Sequence, residues 1–277
     1  MYPPITYLTD CTDANAQARL STRVGALFGR SPVLLPLAGP APTESAALTL
    51  LDLLVSTRSL GEDGFPTVTL VNVAPRDGRW ENGAPFCWFR YGHHTVVSTY
   101  DPRLLALVRV HVGVTAVELT DARTVLTAAA AWSSITPAEA DDLAGSQFRS
   151  LWYVPLLAKW VLDGRPVPAT TTAVPALPDS TGIRVAFVDN FGNCKLTGTA
   201  EAAGFAPGSR LAVSFSRAGD DLGTHKFLCY QRLADVPEGE AGLVAGSSGT
   251  GFVELVVRCG SAAQRFGLTA GVDVDVQ

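Results

Sequence analysis

Lysine is scarce in this chain, contributing only Lys159, Lys195 and Lys226 to the 21 basic residues, and Met1 is the single methionine. Beside abundant Ala, Gly, Val and Leu, that scarcity fits a GC-rich bacterial genome, and an actinobacterial source is the expectation from composition. Surplus positive charge is missing too. With 26 acidic against 21 basic residues the net charge is -5, which offers no field to nucleic acid or to an anionic membrane surface. The five cysteines, Cys11, Cys87, Cys194, Cys229 and Cys259, are odd in number and lack C-x-x-C or Cys/His ligand spacing. Neither a disulfide framework nor a metal site is expected from them. No stretch approaches the ~20 apolar residues that span a bilayer, and the start MYPPITYL has neither a basic region nor a long apolar one. A cytoplasmic protein acting on a small molecule is therefore expected. What is present is 277 residues with 47% hydrophobic content, enough to fill one large core or two modest ones.

The apolar run Ile5 to Leu8 ends in Thr9-Asp10 and is followed by DANAQARLSTRVGALFG, whose apolar residues recur at helical spacing and whose Gly29 can close the helix. Helix is predicted over Ser45 to Thr57 and Arg103 to Val110, and strand over Thr67 to Ala74, His94 to Thr99 and Thr115 to Leu119. Such alternation predicts an N-terminal α/β domain over residues 1–165, a mostly parallel sheet flanked by helices. Ligands of such sheets sit beyond the carboxyl ends of strands, where Asp10, Ala74 and Asp101 fall. Thr136, Pro137 and Glu139 spell a capping box with proline at the first helical position, and a further helix is predicted over Phe148 to Leu162. Residues 166–182 are rich in Pro, Thr and Ala and read as a linker. From Ile183 the short segments IRVAFVD, SRLAVSFS, HKFLCYQRL and GFVELVVR, separated by turn residues, predict a C-terminal antiparallel β-barrel over 183–277.

At the end of the first strand, the Asp10 carboxylate can accept hydrogen bonds from a ribose diol or can cap the following helix. Asp13 and Asn15 in the same loop leave the same two readings open. Asp189, Phe191 and Asn193 form a second constellation around Gly192, which permits a tight turn with two polar side chains on one loop. A plain hairpin connection would use the same residue types.

Two stretches taken together, VDNFGNCKLTGT (188–199) and GSSGTGFVELVVRCGSAAQRFGL (246–268), resemble the C-terminal barrel of the S-adenosylmethionine (SAM) hydroxide adenosyltransferases and their relatives, the fluorinases and chlorinases. In that family an I/V-D-x-F-G-N turn and a late G-S-A-A turn recur, and an L-T-D strand end opens the N-terminal domain, as Leu8-Thr9-Asp10 does here. The resemblance implies SAM as cofactor or substrate. It places Asp10 on the ribose with Asp13 and Asn15 beside it, Asp189, Phe191 and Asn193 at the methionine end, and Ser248, Thr250 and Arg258 around the adenine. A surface or strand-pairing role suits Arg258 equally well. The resemblance further implies a homotrimer with ligand sites shared between subunits.

Departures from the family pattern bear on the chemistry. Hydroxide-forming members have a strand ending V-D-P-G-V-G and an F-H-G-R-D segment, whose Asp and His help to activate water. Here the first site reads Val73-Ala74-Pro75-Arg76-Asp77-Gly78-Arg79 and the second Phe148-Arg149-Ser150. Alanine cannot orient or deprotonate anything, and an arginine of pKa above ~12 is no general base near neutral pH. Ser150 aligns with a serine that helps hold halide in the fluorinases. The candidate catalytic set is therefore Arg149, Ser150, Asp77, Arg79 and Asp101, with Trp80, Trp152 and Tyr153 nearby in sequence. Such a mixture suits a larger, partly anionic or polyoxygenated substrate, or forms an ordinary salt-bridged rim. Expected overall is a SAM-binding enzyme of specialised metabolism, repurposed from SAM-cleaving relatives into a cyclase or related tailoring catalyst. The alternatives are a SAM-dependent adenosyl transferase, halogenase or hydrolase, and a non-catalytic SAM-binding protein.

Overall fold

The computed structural model describes residues 1–58, 64–74, 83–176 and 182–277. Its chain divides into two compact units, Met1–Ala38 with Ser59–Ala176 and Gly39–Arg58 with Leu177–Gln277.

The first unit opens with β1 (Ile5–Thr9) and α1 (Ala14–Phe28), which buries Ala16, Leu20, Val24 and Phe28 at i, i+4 spacing and stops at Gly29 with φ 69°. That left-handed cap is cheap only for glycine. After β2 (Val33–Pro36) the chain leaves for the second unit, where it forms α2 (Pro42–Val55), and returns as β3 (Val68–Asn72). A hairpin of β4 (Phe86–Tyr91) and β5 (His94–Thr99) turns at Gly92, φ 56°. There follow α3 (Pro102–Val112), β6 (Ala116–Thr120), α4 (Ala122–Ala131), α5 (Pro137–Gly145), α6 (Arg149–Trp152), α7 (Val154–Leu162) and β7 (Thr170–Ala173). The seven-stranded sheet has the order β2-β1-β3-β5-β4-β6-β7. Its β2-β1-β3-β5 half is parallel, and β4, β6 and β7 add on antiparallel.

Three details differ from the sequence reading. The helix expected over Phe148 to Leu162 is two helices meeting at Tyr153, because Pro155 has no N–H to donate and restrains the residue before it. Thr170–Ala173, within the stretch that reads as a linker, pairs antiparallel with β6, consistent with the β preference of its threonines. And the helix containing Ser45 to Val55 packs with the barrel unit instead of the sheet that surrounds it in sequence. The capping box at Thr136 is present in both directions, Glu139 N to Thr136 Oγ1 at 3.2 Å and Thr136 N to Glu139 Oε2 at 2.7 Å.

In the second unit β8 (Ile183–Val188), β9 (Cys194–Thr199), β10 (Arg210–Arg217), β11 (Asp220–Tyr230), β12 (Ala241–Ala245), β13 (Phe252–Val257) and β14 (Asp273–Val276) close a barrel of order β10-β11-β12-β13-β9-β8-β14. Closure removes exposed strand edges. Its pairs are antiparallel except β11 with β12. Val185, Leu196, Val213, Phe215, Phe227 and Leu255 fill its core, and α8 (Ala262–Phe266) sits between β13 and β14 in the chain. Two ionic triads tie α2 to this barrel. Arg184 lies 3.4 Å from Glu44 and 2.7 Å from Asp273, while Lys195 lies 3.6 Å from Asp52 and 3.8 Å from Glu254. Ser45 Oγ adds a bond to Ala186 O at 3.1 Å. Each triad pairs one cation with two carboxylates, and burial raises the carboxyls of Asp52 and Glu254 above their ordinary range.

Candidate functional site

The carboxyl ends of β1, β3 and β5 open into a cavity of about 270 Å³ in the first unit. This is the edge at which open α/β sheets hold ligands. The chain leaves β1 at Asp10, whose backbone N–H still bonds Asn72 O at 3.2 Å, so the sheet ladder runs one residue further and fixes the side chain. Asp10 Oδ2 accepts from Ala74 N at 2.9 Å and Oδ1 from Asn72 Nδ2 at 3.2 Å, which aims the carboxylate along the cavity wall. Thr99 Oγ1 accepts from Val73 N at 3.1 Å, and Thr9 Oγ1 from Cys11 N at 3.0 Å, so each strand end is braced by a neighbouring hydroxyl. Such polar groups facing a cleft stay hydrogen-bonded and preset in direction.

The opposite wall is the start of α6. Ser150 is buried, and its hydroxyl has one partner among the described residues, the Cys11 sulfur at 3.9 Å. Its carbonyl accepts from the Tyr7 hydroxyl at 2.6 Å; burial, with Cys11 and Asp10 close by, pushes that phenol well up and keeps it a neutral donor. Arg149 reaches back across the cavity to donate Nη2 to Ala84 O at 2.8 Å, with its guanidinium 5.2 Å from the Phe86 ring centroid. A Cβ on Gly83 would displace the tip of that guanidinium, and the φ of 69° at Gly83 favours glycine by itself. Burial lowers the Arg149 pKa, and among the described residues no carboxylate lies within ion-pair distance of it.

In the second unit Asp189 organises the turn between β8 and β9. Its Oδ1 accepts from Phe191 N and Asn193 N, both at 2.9 Å, and its Oδ2 from Asn193 Nδ2 at 2.9 Å. The carboxylate thus holds the loop, while Phe191 stands 71% exposed at its tip. Gly192, φ 82°, packs where a Cβ would strike Ser261, and its carbonyl accepts from Ala263 N at 2.9 Å. The two sequence motifs are therefore neighbours twice, through β9 pairing with β13 and through this turn resting on the first residues of α8.

The structure brings Asp10, Arg149 and Ser150 to one cavity. Asp13 lies outside it as the N-cap of α1, accepting from Ala16 N at 2.9 Å, and Asn15 is exposed on that helix. Asp101 is buried as the N-cap of α3 and ion-paired with Arg103 at 3.0 Å. Ser248 and Thr250 share a hydrogen bond of 2.9 Å in the β12–β13 loop. Arg258 donates to the carbonyls of Ala234 and Val236 at 2.9 and 3.0 Å, which pins the connection into β12. Asp77 and Arg79, with Arg76 and Trp80, lie outside the described residues. Asn72, Thr99 and Gly83 line the cavity without having been singled out by sequence. Asn72 and Thr99 carry a legible signal, since each is the polar residue that ends an apolar strand. No group of three or more potential metal ligands occurs among the described residues, and no described helix is long and apolar enough to cross a membrane.

Residues 183–275 match the family model of the SAM hydroxide adenosyltransferase C-terminal domain. The family likeness carried by the two motifs thereby extends over the whole barrel. Comparison with curated proteins gave no match. Among solved structures, an uncharacterized conserved protein from Thermotoga maritima aligns with a TM-score of 0.67 at 18% identity, covering 98% of this chain and 99% of that one. A conserved hypothetical protein from Thermus thermophilus aligns with a TM-score of 0.55 at 19% identity over 100% of both chains. At such identities the likeness is one of fold.

Proposed function

We propose, taking as premise a barrel similar to the SAM hydroxide adenosyltransferase C-terminal domain, that the protein binds SAM or a related nucleoside without activating water. The observation that carries this reading is a single cavity holding both the retained and the altered positions. Asp10 presents a braced carboxylate suited to a ribose diol, while Ala74 and Arg149 stand where the resemblance calls for water-activating Asp and His. A cavity of about 270 Å³ sits near the lower end of ligand pockets (~300 Å³), room for the nucleoside end of SAM. Following the resemblance, the methionine end would meet the Asp189–Asn193 turn of a neighbouring subunit, whose exposed Phe191 supplies an apolar surface. We propose a homotrimer with shared sites for that purpose, following the resemblance. Bound SAM would contribute a fixed sulfonium charge beside a second substrate, and a cyclase or tailoring role in specialised metabolism is the form of activity we favour.

A second reading is supported by Ser150. Its buried hydroxyl, whose one described partner is a sulfur, is free to donate to a small anion, as nucleophile delivery to SAM would need. Incubation of the protein with SAM, followed by chromatography for adenosine and methionine, separates the readings. No release above a boiled control is expected. Efficient adenosine formation would overturn the non-hydrolytic assignment, and a 5′-halogenated product formed with added halide would promote the second reading.

A further inference from the structure

We propose that Arg149 is the anion-binding residue of a second subsite, which takes the carboxylate of a monoanionic organic ligand in the space beside β4 and β6. Next to the cavity at the strand ends lies another of about 360 Å³, lined by Thr120, Asp121, Ala122, Arg123 and Ala144, and the two share Gly83, Phe86 and Arg149. Arg149 thus stands at the neck of a two-lobed cleft, in reach of both lobes. Its guanidinium is already immobilised by Ala84 O and the Phe86 ring, so little side-chain entropy remains to be lost when a ligand binds. Nη1 and Nε donate to no described residue and Nη2 spends one of its two hydrogens on Ala84 O, so one edge of the guanidinium keeps a planar pair of donors that matches a carboxylate.

Charge balance decides the ligand class. A half-buried cation without a counter-charge is costly, and a bound anion would offset that cost. The other described charged groups of the second lobe are Arg123 and Asp121. Arg123 lies 3.8 Å from Asp141, both exposed, and Asp121 Oδ1 is engaged by Thr124 N and Thr124 Oγ1 at 2.8 and 2.7 Å as the cap of α4. Among these described charges Arg149 alone has no acidic partner, so the lobe offers one uncompensated cation, which fits a monoanion better than a dianionic phosphate. Pro85, Phe86, Ala122 and Ala144 give the lobe an apolar wall for the organic body. This subsite rests on the cavity being a ligand site, as proposed above, though not on that ligand being a nucleoside.

The test is calorimetric titration of the full chain with benzoate and with its neutral isostere benzamide. Wild-type protein is expected to bind benzoate at least about tenfold more tightly than benzamide, as a charge-assisted fork implies. Arg149→Met should abolish the preference, and Arg149→Lys, which keeps the charge without the fork, should retain part of it. Equal binding of the two probes by the wild type, no benzoate binding, or a preference surviving in Arg149→Met would overturn the proposal. Should Arg149→Met fail to fold, the wild-type ratio and Arg149→Lys decide. Adenosine titrated in parallel keeps the two proposals apart: benzoate binding without adenosine binding would sink the nucleoside reading and leave the anion subsite standing.

Discussion

Replacing Asp10 by alanine separates ligand binding from folding. The carboxylate receives Ala74 N at 2.9 Å and Asn72 Nδ2 at 3.2 Å, and its proposed task is to accept ribose hydroxyls. Ala74 is exposed, so its N–H recovers water when the acceptor goes, whereas Asn72 is 8% exposed and loses a partner it cannot readily replace. One donor left short beside a cavity costs about 1–2 kcal/mol of stability. Loss of a charged acceptor for the ligand costs a further ~1.5–3 kcal/mol of binding, a roughly 10- to 150-fold weaker Kd for adenosine or SAM. Calorimetric titration on protein whose circular dichroism is native measures the second quantity alone. Asp13→Ala is the control: it removes the N-cap of α1, costs about 1 kcal/mol of stability, and leaves adenosine affinity unchanged. A folded Asp10→Ala protein with wild-type affinity for adenosine would refute the ribose assignment, as would equal loss in both variants.

Gly192→Ala forces a left-handed conformation on alanine and drives its Cβ into Ser261, so the barrel should lose roughly 2–4 kcal/mol, read as a drop in urea midpoint; an unchanged midpoint would show that the turn and α8 separate at no cost. Glu254→Gln tests the Asp52–Lys195–Glu254 triad. A carboxyl raised by burial stays protonated in the folded state at pH values where the unfolded chain has lost its proton, so its stabilising contribution is present at low pH and fades as pH rises through the folded value. The wild type should therefore gain stability relative to Glu254→Gln as pH falls from neutral towards the ordinary carboxylate range, and parallel stability curves would exclude this. Light scattering should give about three times 29.1 kDa for the proposed trimer, and a clean monomer would contradict shared sites.

Local signals made much of the fold legible. Gly29, the Thr136 capping box and the strands β1, β3, β5 and β6 rest on signals that act within a few residues, and each appears where the pattern put it, whereas β2 and β4 were not expected. What stayed hidden depends on distant partners. Nothing in PTESAALTLLDLLV says that Glu44 and Asp52 answer Arg184 and Lys195 more than a hundred residues later, so the helix could not be assigned to the barrel. The place of Asp10 beside the cavity was legible because a strand end fixes a direction in space. Asp13 and Asp101 carried the same chemical promise, yet their carboxylates are spent on the first N–H groups of α1 and α3. The importance of Gly83 came only from its contact with Arg149, far along the chain.

The passage of α2 into the barrel unit sets an order of events during synthesis. Ser45 and its acceptor Ala186 are 141 residues apart. At roughly 5–20 residues per second, α2 leaves the ribosome about 7–28 s before the first barrel strand that covers it. A 14-residue helix is marginal alone in water, and α2 waits without its partners Arg184, Ala186 and Lys195 while the parallel sheet that flanks it in sequence is being completed. A transcript ending near residue 176 would make that wait permanent. The nascent chain therefore carries α2 without its ionic and hydrogen-bond partners until the first barrel strands are translated.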